Sequence, residues 1–462
     1  MQGHEVDPDG TSAHSTPVDA FGYRQELKRS LRLRDLLVYG LIFITPGAPI
    51  ANFGIVFNAS HGMVPLVYVV GVIAMLFTAA SYVTMSRVYP IAGSVYAYAG
   101  RAIDERVGFL AGWIMLLDYL LLPALVYVLC AIAVHSVVPD VPKALWIVGF
   151  VVVNTVLSIR GIETTARVNF ALLGVQLVGL GVFMVAAVVA FNHGDYGARL
   201  SSKPFFDPGV ATPSLIFGAL SLAVLSFLGF DAISTLAEEA RGGARAVGHA
   251  TFLSLLLTAA IFVALTYTAS LFVLDRGHFA AGDPVEAAFY DIARDIGGPW
   301  LKWLLTIPLV LFGGMPGALA AQVATSRLLF SMARDGRLPK ALARVSDAHR
   351  VPDRAALLVS AVTLALGVMM SNQLELLNSM VCFGALSGFL LLHVSVIAHV
   401  RRSPRHPSRL RHAAVAVIGL AIIGYVLINL KDTAKLVGSV WLLIGVLLLA
   451  YRSWRATRDS RR

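Results

Sequence analysis

Apolar residues in this chain fall into long runs separated by short polar connections. Twelve such runs stand near residues 35–58, 64–88, 107–135, 144–159, 169–192, 213–239, 250–274, 299–332, 355–371, 375–399, 412–430 and 434–451. A helix needs about 20 apolar residues to cross a bilayer, and most of these runs reach that length; the fourth and ninth are short. The pattern predicts an all-α integral membrane protein with about 12 transmembrane helices. Two of the runs are interrupted in the middle. The first, Asp35 to Asn58, is broken by Thr45-Pro46-Gly47-Ala48-Pro49, and the sixth, Pro213 to Glu239, by Ser226-Phe227-Leu228-Gly229-Phe230-Asp231. Inside a bilayer every backbone N–H and C=O needs a partner, so broken helix is tolerated only where it lines a cavity. Interrupted runs at corresponding places in two halves of a chain point to the binding site of a secondary transporter.

Spans 1–5 and 6–10 then form two equivalent units. Five is odd, so the second unit enters the membrane from the opposite side, as an inverted repeat. The expected organisation is a polar cytoplasmic tail over 1–30, repeat one over 31–195 and repeat two over 211–400. Spans 11 and 12 over 412–452 and a short cytoplasmic tail over 453–462 complete it. The tail at 1–30 has no basic segment followed by an apolar run, so a cleaved signal peptide is not expected. Residues 277–299 are too polar to span; within them, 285–291 can form a short amphipathic helix over the outer mouth.

Composition agrees. Of 462 residues 57% are hydrophobic and 14% charged, against about 25% charged in soluble domains. The net charge of +10 would suit a nucleic-acid binder, but its distribution does not. With the N-terminus inside, 29 of the 37 Lys and Arg residues fall on the cytoplasmic side. That bias places both termini in the cytoplasm of a multi-pass cell-membrane protein. The partners it implies are lipid and a small solute, not nucleic acid. Cys130 and Cys382 lie inside apolar runs and read as small core residues, not a disulfide or metal site; no cofactor is expected.

Four stretches carry a family resemblance. They are Leu33-Arg34-Asp35-Leu36 before the first break, Tyr89-Pro90-Ile91-Ala92-Gly93-Ser94-Val95-Tyr96-Ala97-Tyr98 after the second span, Phe227-Leu228-Gly229-Phe230-Asp231 with Glu238-Glu239, and Ser326 to Pro339 (SRLLFSMARDGRLP) after the eighth. Together they resemble the amino acid–polyamine–organocation superfamily of transporters. Leu117-Asp118-Tyr119-Leu120-Leu121-Leu122-Pro123 and the proline-flanked first break are similar to its putrescine-importer-like branch. The resemblance implies a LeuT-type five-plus-five inverted repeat with discontinuous helices 1 and 6, two extra helices, and alternating access.

The candidate substrate-binding residues are Thr45, Pro46, Gly47, Ala48, Asp118, Tyr119, Phe227, Gly229, Phe230 and Asp231. Amino-acid-carrying relatives clamp a carboxylate on glycine-rich backbone at the first break. Here Pro46 and Pro49 lack an N–H, leaving Gly47, Ala48 and Ile50 as close donors, so that clamp is weakened. A carboxylate at membrane depth costs about 2.5–3.5 kcal/mol. Asp231 therefore reads as a partner for an ammonium group or a proton, or as the N-cap of a half-helix Ala232–Glu239. Asp118 reads as a substrate-facing or proton-carrying carboxylate, or as a structural acceptor, and Tyr119 as a contact or as packing. Phe227 and Phe230 offer rings to a cation or simply pack. Glu238 and Glu239 join Asp118 and Asp231 as coupling or gating candidates.

Sodium-coupled relatives carry hydroxyls midway along helix eight, whereas Val310–Val323 has no Ser or Thr. A proton-coupled branch carries a lysine in helix five, where this chain has Gln176 as its strongly polar residue. Proton coupling would fall to Asp118, Asp231 or a cytoplasmic Glu; exchange and uniport fit as well. His393 and His399 read as solvated or packed. The expected function is secondary transport of amino acids or polyamines such as putrescine, by symport with protons or otherwise. A neutral amino-acid exchanger or uniporter of the same fold is the alternative, and a non-transporting receptor the alternative from another class. No H-E-x-x-H, G-x-S-x-G or G-x-x-x-x-G-K-[ST] sequence is present, so neither an enzyme nor an ATP-driven pump is expected.

Overall fold

The structure, a computed structural model, describes residues 31–89, 94–160, 166–194, 197–236, 240–346, 351–402 and 409–459. These residues are helical throughout, apart from loops and one isolated parallel bridge between Leu31 and Ala240. Among the described residues, eight helices or continuous helical runs are long and apolar enough to cross a membrane, and a bent pair makes a ninth. Apolar side chains such as Leu436, Leu443 and Leu447 stand exposed on α17 (Asp432–Asp459), which in a multi-pass membrane protein is a lipid-facing surface. The runs at 144–159 and 355–371 appear as the shorter helices α6 (Lys143–Ile159) and α14 (Asp353–Met369).

The bent pair is α1 (Leu33–Ile44) and α2 (Ala48–Ser60), which meet at 43°. They are followed by α3 (Val64–Val88), α4 (Ser94–Ala102) and α5 (Glu105–His135). Further on are α7 (Ala166–His193), α8 (Pro213–Ala223), α9 (Gly243–Leu271), α10 (Asp283–Glu286), α11 (Ala288–Gly297) and α12 (Pro299–Pro308). The last are α13 (Met315–Arg334), α15 (Leu374–Arg402) and α16 (Arg409–Ile428). Helix starts follow local rules. Asp104 caps α5 by accepting from Arg106 N (2.8 Å), and Thr212 caps α8 by accepting from Leu215 N (3.2 Å). Prolines occupy the first turns of α2, α3, α8, α10, α12 and α13, where a missing N–H costs nothing.

α5 is the central pillar: 83% of its apolar window is buried, against 17% for α17. It also carries Pro123 in its interior. A proline there leaves the carbonyl four residues back without its helical donor. That carbonyl is Tyr119 O, and Thr325 Oγ1 on α13 donates to it at 2.6 Å. The proline of the Leu117–Pro123 stretch thus joins α5 to α13 at the level of Asp118. Two other family-like stretches also meet: Tyr96 OH donates to Asp335 Oδ2 (2.7 Å), and Arg337 pairs with Glu105 beside them (2.5 Å). Of that earlier stretch, residues 90–93 lie outside the described residues. α17 is held to α5 by stacked Trp113 and Trp441 rings, whose indole N–H groups each donate to the other's carbonyl at 2.8 Å.

At the opposite end of the α1–α2 pair from the Leu31–Ala240 bridge, the single short helix expected within 285–291 is instead two: α10 ends at Glu286, and α11, which starts at Ala288 and runs on to Gly297, packs on α2 and α7. Asn58 holds the preceding loop by both donating to and accepting from the Phe279 backbone (2.8 Å each). Lys143 pairs with Asp283 (3.1 Å) and Glu286 (3.0 Å), and Lys302 with Asp291 (3.1 Å).

Candidate functional site

The first break is sharp. Thr45 takes φ 62°, an uncommon conformation for a β-branched residue, and its Oγ1 donates to Ile42 O (3.1 Å). Two of the three expected backbone donors turn inward: Ala48 N donates to Thr45 O (2.8 Å) and Ile50 N to Gly47 O (3.0 Å). Among the described residues, Gly47 N–H alone of the three has no backbone partner.

The second break differs from its expected form. α8 tightens into a 3₁₀ turn at Val224–Phe227, Leu228 is extended, and Gly229 has φ 110°. The chain then continues as 3₁₀ helix over Phe230–Leu236, where the sequence predicts an α half-helix. Glu238 and Glu239 lie outside the described residues. The two breaks touch: a Cβ on Gly229 would sit 2.1 Å from Phe43 Cδ1, at the end of α1.

Asp118 and Asp231 come together here, each 4% exposed and within electrostatic range of the other. Asp231 accepts from Tyr119 OH (2.9 Å) and from Gly229 N (3.3 Å). Asp118 Oδ1 has no hydrogen-bond partner among the described residues. α15 approaches so closely that a Cβ on Gly384 would lie 2.6 Å from Asp118 N. Phe230 packs edge-on to Tyr82 (5.9 Å) and against Phe389 (5.7 Å), and Phe227 against Tyr68 (5.8 Å) and Phe262 (5.3 Å).

A cavity of about 90 Å³ lies between the breaks. Thr45, Gly47 and Ala48 line it from the first break, Leu225, Ser226 and Leu228 from the second, and Leu122, Val126 and Leu129 from α5. A π-helical turn, Leu309–Gly314, closes one side. Pro46, Asp118, Tyr119, Phe227, Gly229, Phe230 and Asp231 are not among the lining residues. Asp118 lies one turn before Leu122 on α5, and Asp231 three residues after Leu228.

Asn52 and Tyr290 are not among the residues that the sequence singles out, and Gln176 is named there only as the polar residue of helix five. Asn52 and Tyr290 line the cavity, and Asn52 Oδ1 and Tyr290 OH are buried without a partner among the described residues. Gln176 on α7 is likewise unpartnered at both amide atoms; its Nε2 would be 2.5 Å from a Cβ on Gly313 and 3.5 Å from one on Gly47. An amide inside an apolar run is a legible signal for Asn52 and Gln176. Tyr290 stands in a polar connection and has none. Of the other residues singled out, Cys130 lines the cavity, and both cysteines are free and buried. His393 is buried between Thr78 (3.3 Å) and Ser81 (2.9 Å), and His399 meets the Tyr89 ring.

The sequence profile described as amino acid permease matches residues 36–449. This chain belongs to the amino acid permease family. It is 31% identical to a low-affinity putrescine importer of Escherichia coli, over 92% of this chain and 94% of the importer. It is 28% identical to a branched-chain amino acid permease of Bacillus subtilis, over 93% and 94%. With a methylthioribose transporter of the same organism it shares 23% identity over 92% and 93%. The protein is therefore a multi-pass membrane transporter, and the family and these relatives are permeases, not enzymes.

Proposed function

We propose that this permease moves small organic amines, polyamines such as putrescine or amino acids, by alternating access across the cell membrane. Its 12 spans form a five-plus-five inverted repeat over 31–195 and 211–400, followed by two further helices, with both termini cytoplasmic. The α11 face is then the outer one. The observation that carries this reading is the burial of two carboxylates, Asp118 and Asp231, in the region of the two helix breaks, whose residues line a cavity. Carboxylates at this depth are costly, and an ammonium group offsets that cost by pairing with them. Thr45, Gly47 and Ala48 shape the cavity, Tyr119 orients Asp231, and Phe227, Gly229 and Phe230 hold the second break in place. The relatives named for putrescine and for branched-chain amino acids support the same substrate class.

Gln176 is the polar side chain that α7 turns toward the first break, and an amide does not titrate. A coupling proton would then ride on Asp118, Asp231 or a cytoplasmic Glu. A second reading is favoured by Gly47, which lines the cavity and whose N–H has no backbone partner among the described residues. It can take the carboxylate of a neutral amino acid, whose amine then reaches Asp231.

Uptake into proteoliposomes, with putrescine, leucine and methylthioribose offered separately, tests the proposal. Saturable uptake of putrescine or leucine is expected. Uptake of methylthioribose alone would defeat the amine reading.

A further inference from the structure

The ends of four helices carry positive charge that transport does not use. Arg87 stands in the last turn of α3, Arg101 in that of α4, and Arg401 and Arg402 in that of α15, while α16 opens with Arg409-Leu410-Arg411. All of these arginines except Arg409 are exposed. Along the four helices there is one acid, Glu375, and it stands at the other end of α15, paired with Lys431. The acids nearest to them, among those described, have other work. Asp104 caps α5, Glu105 pairs with Arg337, and Asp335 accepts from Tyr96 OH.

These ends meet. Arg402 donates to Ile103 O, one residue past α4, at 2.9 Å. Tyr89, one residue past α3, meets the His399 ring of α15 edge-on at 5.9 Å. The Tyr89 hydroxyl lies within electrostatic range of both Arg402 and Arg101. α16 begins seven residues after Arg402 and packs back along α15 and α3, so Arg409 and Arg411 belong to the same face. Between them Leu410 is 84% exposed, an uncovered apolar side chain flanked by two cations.

We propose that this cluster binds the headgroup phosphate of an anionic phospholipid, with Arg101 and Arg402 on the phosphate oxygens and Leu410 among the acyl chains. α3, α15 and α16 are each long and apolar enough to span, so their ends stand at headgroup depth. The fixed anions at that depth are lipid phosphates, and basic side chains between helix ends attract them. A guanidinium presents a planar fork of donors that matches phosphate oxygens two at a time. Tyr89 adds an aromatic ring of the kind that settles at this interface.

Leu410 is the reason to name a lipid and not a soluble anion: a free phosphate gives that side chain nothing to enter, and an acyl chain does. In the topology proposed above the lipid belongs to the cytoplasmic leaflet. A phosphate held by Arg101 and Arg402 also adds a second tie between α4 and α15, beside the bond from Arg402 to Ile103 O. α15 is the helix that packs against the backbone of Asp118 at Gly384, so the lipid steadies a helix that borders the carboxylates.

Native mass spectrometry of the full chain in detergent, titrated with phosphatidylglycerol or phosphatidylcholine, reads the affinity of the first bound lipid. Wild type is expected to hold phosphatidylglycerol at least about tenfold more tightly. Arg101→Gln with Arg402→Gln is expected to lose about tenfold in phosphatidylglycerol affinity and to leave phosphatidylcholine within about twofold. Arg87→Gln with Arg101→Gln spares the bond from Arg402 to Ile103 O and is expected to shift the same way, which separates lost charge from a disturbed α4. Arg344→Gln with Arg354→Gln removes two exposed arginines elsewhere and is expected to change affinity by less than about twofold. Inorganic phosphate in large excess is expected not to displace the lipid. Four results would each overturn the site: equal retention of the two lipids by wild type, no loss in either cluster variant, an equal loss in the Arg344 and Arg354 control, or displacement by inorganic phosphate, which would make it a soluble-anion site.

Discussion

Asp231→Asn is expected to reduce amine uptake by on the order of 100-fold while the protein still folds and inserts. The amide keeps one oxygen to accept from Gly229 N, and Tyr119 OH can instead accept from the new amide N–H, so the local hydrogen bonds survive in number. The charge is what is lost. Removing one member of a buried ion pair costs about 3–5 kcal/mol, and each 1.4 kcal/mol is roughly a factor of ten. Initial uptake rates in proteoliposomes over a range of substrate concentrations measure the effect, with monodispersity in detergent as the check on folding. Unchanged kinetics would leave Asp231 as a structural acceptor at the second break.

Gly229→Ala is expected to destabilise the protein more than an alanine elsewhere in the same break. Gly229 sits at φ 110°, a region essentially reserved for glycine, where a strained residue costs about 1–3 kcal/mol. Its Cβ would in addition meet Phe43 Cδ1 at 2.1 Å, and overpacking a filled interior adds about 1–3 kcal/mol. The breaks would be pushed apart where they touch. The expected result is a fall in melting temperature of several degrees, with loss of transport. Ser226→Ala removes one hydrogen bond, to Tyr68 OH (2.9 Å), and should cost only about 1 kcal/mol. Equal melting temperatures for Gly229→Ala and wild type would show that the second break is not held in this conformation.

Much of this arrangement was legible in the sequence because membrane burial writes it there. Long apolar runs identify the helices, and Thr45–Pro49 and Ser226–Asp231 mark backbone that cannot continue as regular helix. Asp118 and Asp231 were conspicuous for the same reason: lipid-depth carboxylates need a cause. The structure adds what residue type cannot express. That α15 packs directly on the backbone of Asp118 depends on the close approach that Gly384 allows. The link from Thr325 to Tyr119 O follows from Pro123, but the identity of the donor is a matter of packing. The 3₁₀ winding of Phe230–Leu236 replaces an expected α half-helix, and the π-helical turn Leu309–Gly314 has no local sequence rule. Tyr290 reaches the cavity from the 277–299 connection; the sequence offers an amphipathic helix over the outer mouth there, but not which of its side chains turns inward.

The central claim is that the site recognises an ammonium group through buried carboxylates. It is tested most directly by calorimetric binding of an amine and of its isostere without the ammonium group to the same purified protein. Putrescine pairs with 1,4-butanediol and leucine with 4-methylpentanoic acid. For whichever amine binds, loss of the ammonium group is expected to weaken binding by on the order of 100-fold, the few kcal/mol of a buried charge pair. An isostere that binds as tightly as its amine would contradict the account.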